Sequence, residues 1–141
     1  MSFELLNAFK EKKFICNLDL STVLLEDKEI PWILLIPRVE NALQITDLSF
    51  DNQIALLKEI NLCSSVMKEL FECDQLNIAS IGNKTPQLHV HIICRTTKDP
   101  LWPQTVWDKA LRGLSESEGI TRAGKIRESV LKKQRISPHS L

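Results

Sequence analysis

Net charge is what this chain lacks first. Lys+Arg and Asp+Glu each number 18, so the formal net charge is zero. That argues against broad electrostatic attraction to nucleic acid, which needs a basic footprint, and leaves room only for a local patch. No apolar run is long enough to span a bilayer, and no secretory signal is expected. The four cysteines, Cys16, Cys63, Cys73 and Cys94, include no Cys-x-x-Cys pair. Reduced thiols in a cytoplasmic protein are therefore the expectation. There is no internal repeat and no low-complexity segment. Histidine is scarce: His89, His91 and, in the tail, His139.

The chain of 141 residues, 43% of them hydrophobic, is sized for one domain over 1–141 with a core that needs no staples. Phe3, Leu6 and Phe9 share one side of a short helix that Ser2 is placed to cap. Phe14-Ile15-Cys16 and Val23-Leu24-Leu25 read as strands, followed by a charged turn at Glu26–Glu29. Pro31 and Pro37 bound a continuous apolar run, Trp32 to Ile36, which marks a buried central strand. Ser49 opens the clearest helix, through about Phe71, with Phe50, Ile54, Leu57, Ile60, Cys63, Met67 and Leu70 as its core stripe. Leu76 to Ile81 reads as a strand, Trp107 to Leu114 as a short helix, Ser115 to Gly119 as a linker, and 121–134 as a surface helix with a basic face.

The stretch Pro86-Gln87-Leu88-His89-Val90-His91-Ile92-Ile93-Cys94-Arg95 organises the rest. Apolar Leu88, Val90 and Ile92 alternate with Gln87, His89 and His91, so a strand puts the two sets on opposite faces. Strand histidines are often structural. A row of two beside an amide is also a place for chemistry, because neutral imidazole is a good nucleophile near pH 7. The preceding turn, Gly82-Asn83-Lys84-Thr85, exposes N–H groups, an amide, an ammonium and a hydroxyl, all suited to phosphate.

The row resembles the signature of the histidine triad (HIT) family, His-φ-His-φ-His-φ-φ with φ apolar, with Gln87 at the first histidine position and His89 and His91 at the second and third. The resemblance extends to Gly82-Asn83, four residues ahead of the row, where the family has Gly-Gln, and to Ile36-Pro37-Arg38. It covers about residues 14–107. It implies an α+β fold: a mainly antiparallel sheet of about five strands, one long helix and a C-terminal helix. It implies hydrolysis or transfer at the α-phosphorus of a nucleotide through a histidine-linked intermediate, as with dinucleoside polyphosphates or nucleoside phosphoramidates. It also implies a homodimer, with no cofactor, no metal and no membrane. By the same resemblance His89 attacks phosphorus and His91 contacts the phosphate. Asn83 and Lys84 line the phosphate turn, Asp27 is the candidate ribose contact, and Trp102 corresponds to an aromatic, proline-containing stretch near the site. Gln87 can hydrogen-bond but cannot take the charge that a histidine carries there.

Two other classes stay open. One is a metal-dependent hydrolase, since a His-x-His strand begins many metal sites; Cys94 faces away by parity and His139 would need the tail to fold back, while distant carboxylates such as Asp19, Asp27 or Asp99 remain open as further ligands. A nucleotide-binding protein without turnover is the other, since one triad histidine is missing.

Overall fold

Six consecutive residues that are apolar or proline, Trp32 to Pro37, all bury, which requires cover on both faces of the strand they form. A computed structural model describes residues 2–136 and shows that cover. Five strands, β1 (Lys13–Asn17), β2 (Ser21–Leu25), β3 (Trp32–Pro37), β4 (Gln75–Ala79) and β5 (Val90–Arg95), form one sheet in the order β1-β2-β3-β5-β4. Every neighbouring pair is antiparallel. The helices are α1 (Asn7–Lys10), α2 (Phe50–Phe71) and α3 (Glu116–Ile136). This is the expected α+β architecture, with β3 central.

One face of the sheet carries Ile33, Leu35, Leu88, Val90 and Ile92 against Leu56, Ile60, Cys63 and Met67 of α2 and Ile126 and Val130 of α3. The other carries Trp32, Leu34, Ile36 and Ile93 under Phe9 and Val106, with Phe3, Leu5 and Leu111 at its margin. The histidines lie on this second face, roofed by the N-terminal segment and by Val106 and Leu111.

Ser49 caps α2 as expected, its Oγ accepting from Asn52 N at 3.1 Å. The helix stripe is corrected at its N-terminal half. Phe50, Ile54 and Leu57 are exposed, at 74%, 41% and 58%, and Leu56 turns inward instead. The Ser115–Gly119 linker is corrected as well. Ser115 and Glu118 cap each other reciprocally, Glu118 N to Ser115 Oγ at 3.2 Å and Ser115 N to Glu118 Oε1 at 2.8 Å, so α3 begins at Glu116. Trp107 to Leu114 is not helical, because this backbone bonds elsewhere: Asp27 Oδ1 accepts from Leu114 N and Arg112 O from Glu29 N. Ser2 caps nothing, since α1 starts at Asn7 after an extended Leu6.

The basic residues of α3 are partly consumed by packing. Arg127 donates to the carbonyls of Ile15 and Phe14, where β1 bulges, and Arg122 to those of Lys28 and Glu29. Lys133 pairs with Glu69. The expectation of reduced thiols is overturned at two positions: Cys73 and Cys94 form a disulfide. The register of β4 on β5 brings the end of α2 across from Cys94, a proximity that no local spacing displays. Cys16 and Cys63 are free and buried, and burial pushes both thiols up, Cys16 to about 11.

Candidate active site

The alternation does its work one residue ahead of β5. Leu88 N bonds Ala42 O, which fixes the approach, and His89 and His91 then fall on one face with ring centroids 4.9 Å apart. They are 6% and 7% exposed. Phe9 packs edge-on to His89 at 4.9 Å, and Trp32 and Trp107 flank His91 at 5.6 and 5.1 Å.

Each imidazole is held through Nδ1. His89 Nδ1 lies 2.7 Å from the carbonyl oxygen of Gln87. A carbonyl only accepts, so Nδ1 carries the proton, and in the neutral ring Nε2 keeps a lone pair. His91 Nδ1 lies 3.0 Å from the indole Nε1 of Trp32. Burial, with His89 and Lys12 nearby, pulls the His91 pKa down from 6.5 to about 4. His91 is therefore neutral at physiological pH. Lys12, whose charge contributes to this lowering, pairs with Glu26 at 2.8 Å.

The other residues singled out from the sequence are dispersed. The Gln87 amide faces the N-terminal segment: Oε1 accepts from Leu6 N at 3.0 Å and Nε2 donates to Glu4 O at 2.8 Å. Asn83 is exposed and borders an open depression of about 800 Å³ shared with Leu43, Ile45 and Ile81, which the histidines do not line. Lys84 is exposed on the same turn. Asp27 anchors Leu114 at 2.9 Å. Trp102 stacks near the buried Arg95 guanidinium, 5.9 Å from its ring centroid, where Arg95 is clamped by Asp99 at 2.7 Å. The aromatic that reaches His91 is Trp107, five residues on. Sequence reasoning passed over Trp32, Phe9 and Lys12, which read as core or surface from local pattern. Among the described residues no third His, Cys, Asp or Glu joins the pair in a metal-binding group, and His139 lies outside them.

An antiparallel sheet presenting two coupled imidazoles, one with a free Nε2 lone pair, defines a class of histidine-bearing α+β proteins. The family model described as HIT domain matches residues 8–98. A histidine triad protein from Bradyrhizobium japonicum superposes with a TM-score of 0.88 at 38% identity, over 92% of this chain and 99% of that one. One from Marinobacter aquaeolei VT8 gives 0.87 at 32% identity, over 94% and 98%. One from Sinorhizobium meliloti gives 0.85 at 31%, over 90% and 96%. No curated protein matches the chain significantly. The chain belongs to the HIT domain family.

Proposed function

We propose that the chain is a nucleotide hydrolase or nucleotidyl transferase in which His89 Nε2 attacks the α-phosphorus and forms a nucleotidyl-histidine. The observation that carries this reading is the 2.7 Å bond from His89 Nδ1 to the Gln87 carbonyl. It aims the proton away from the reacting edge and leaves the lone pair on Nε2. His91, 4.9 Å away between ring centroids, steadies charge on the phosphoryl oxygens. The turn at Asn83 and Lys84 offers further phosphate donors. Gln87 stands at the first motif position and acts through its backbone carbonyl. Asp27 and Trp102 are anchored elsewhere, and we assign them no substrate contact. The substrate is a nucleotide with a leaving group on its α-phosphorus, and dinucleoside polyphosphates and nucleoside phosphoramidates are the two classes to compare. The whole chain acts as one HIT unit and pairs with a second copy.

Trapping with labelled nucleotide, followed by peptide mass spectrometry, is expected to place an acid-sensitive adduct on the peptide containing His89. His89→Ala is expected to lose turnover by about 10³-fold or more, because it removes the covalent step. Undiminished turnover by pure His89→Ala protein rejects the reading. A nucleotide-binding protein without turnover is the second reading, favoured by the low exposure of both rings, His89 under Phe9 and His91 between Trp32 and Trp107. Tight nucleotide binding with no adduct and no product selects it.

A further inference from the structure

The bond between Trp32 and His91 restricts what His91 can contribute. An indole nitrogen is a donor and never an acceptor. At 3.0 Å from Trp32 Nε1, in a buried contact, His91 Nδ1 must supply a lone pair. A proton on Nδ1 would set two donors facing each other with no water to separate them, a cost of the order of a lost buried hydrogen bond. The neutral ring therefore carries its hydrogen on Nε2. A second proton has no place while the indole stays, and Lys12 close by adds repulsion to any imidazolium. The indole is fixed in turn. Trp32 opposes Ile93 across the β3–β5 ladder, is 6% exposed, and meets Trp107 edge-on at 5.7 Å. The two histidines thus present opposite tautomers: a lone pair at His89 Nε2 and a hydrogen at His91 Nε2.

We propose that Trp32 is a positioning residue that makes His91 a hydrogen-bond donor but not a proton donor, so that the site selects substrates whose leaving group departs as an anion. The inference rests on His89 being the nucleophile. In the first step the His89 Nε2 lone pair forms the N–P bond, and the bridging P–O bond breaks with its electron pair staying on the departing phosphate oxygen. In the second, water attacks phosphorus, the N–P bond breaks back to the imidazole lone pair, and the water proton passes to solvent. Neither step takes a proton from His91, which only hydrogen-bonds a phosphoryl oxygen through Nε2–H. A phosphoramidate is different: its nitrogen must be protonated before it leaves, and His91 held this way cannot supply that proton. Phosphoanhydrides are therefore the substrate class, and phosphoramidates are discriminated against.

The test compares kcat/KM for diadenosine tetraphosphate and adenosine 5′-phosphoramidate on the full chain, alongside the ¹⁵N shifts of His91. The expected result is a preference for the anhydride of about 100-fold or more, the usual worth of a general acid to the disfavoured reaction. His91 Nδ1 is expected to resonate as an unprotonated nitrogen in the wild type. In Trp32→Phe the Nδ1-protonated form should appear and the preference should shrink by about tenfold, with the change in kcat rather than KM. The wild-type measurements decide the matter if that variant does not fold. Comparable cleavage of both compounds, or a protonated His91 Nδ1 in the wild type, overturns the inference while leaving a His89 adduct intact. Failure to turn over either compound, with no adduct on His89, overturns the nucleophile assignment and this inference together.

Discussion

Gln87 carries two structural links through opposite ends of its chemistry. Its carbonyl orients His89, while its side-chain amide grips the extended residues before α1, accepting from Leu6 N and donating to Glu4 O. An amide offers both functions at once without ionising. Phe9, three residues past Leu6, then lies on His89, so the identity of residue 87 is coupled to how the nucleophile is covered. Gln87→Ala removes both side-chain bonds. At about 1 kcal/mol each, and with Phe9 still buried in its apolar cluster, the fold should survive with a slightly lowered Tm. The amide of Leu6 should exchange with deuterium at least tenfold faster, while amides of β3 stay protected. Unchanged protection at Leu6 would show that Phe9 packing alone holds the segment. Gln87→Glu keeps the acceptor for Leu6 N but turns a carboxylate toward the Glu4 carbonyl, and should lie between wild type and alanine in the same measurement.

At the scale of elements, α2 shows what a sequence pattern conveys and where it stops. Its start at Ser49 and its extent to Phe71 were legible, because a hydroxyl cap and 3.6-residue apolar spacing are local physics. The direction of its stripe was legible only in the C-terminal half. Periodicity says that Phe50, Ile54 and Leu57 share a side, not whether that side meets the core. β3 was readable because two-sided burial leaves an unbroken apolar run. The histidine row was readable because alternation fixes faces. The start of α3 was not, since Ser115 and Glu118 have linker composition and act as a cap. Trp32 and Trp107, which complete the histidine pair, lie 59 and 16 residues from His91 in sequence, and no local pattern joins them. Nor did the pattern reveal Glu59, which is 7% exposed on the inner side of α2. Its Oε2 accepts from Leu20 N at 2.8 Å in the β1–β2 turn, while its Oε1 and the Ser21 hydroxyl have no hydrogen-bond partner among the described residues. Burial raises the Glu59 pKa against the Leu20 bond, Ser21 and the Arg38 charge. A raised folded-state pKa means that the native protein binds this proton more tightly than the unfolded chain. The associated stability is therefore fully present below the unfolded carboxylate pKa and is lost as pH rises through the folded one. Glu59→Gln keeps an acceptor for Leu20 N and buries no charge. It should raise Tm by a few degrees at pH 7, worth about 1 kcal/mol, with the gain shrinking toward pH 4. Glu59→Ala, which strands the Leu20 amide, should lower Tm at both. An equal effect of Gln at the two pH values would show that Glu59 has the same pKa in the folded and the unfolded chain.

Considered as a whole, the molecule packs α2 and α3 on one face of the sheet and the N-terminal segment with Val106 on the other, and β4 stands at one margin. β4 is the outer strand on that side, paired only with β5, and its Ile78 is 48% exposed. Phe50, Ile54 and Leu57 add an apolar strip along α2, and Leu43, Ile45 and Ile81 border the depression beside the Asn83 turn. An open strand edge is a template for pairing, and clustered exposed apolar side chains usually mark an interface. A two-fold arrangement would let the same surface meet itself and close without further growth. A dimer built this way would hide the α2 strip, Phe50, Ile54 and Leu57, which one copy leaves exposed. The fold of one copy does not need that strip, because Leu56, Ile60, Cys63 and Met67 already supply the inner face. The substitution that tests it can therefore be severe. Ile54→Glu combined with Leu57→Glu places carboxylates at positions already 41% and 58% exposed, so the circular dichroism spectrum and the histidine face should be unaffected. Sedimentation equilibrium of the wild type is expected to give twice the chain mass of 16.1 kDa, and the double variant should sediment as the single chain. Wild type at the single-chain mass across micromolar concentrations would assign the strip to some other contact. A variant that remains a dimer would move the pairing surface to another part of the molecule.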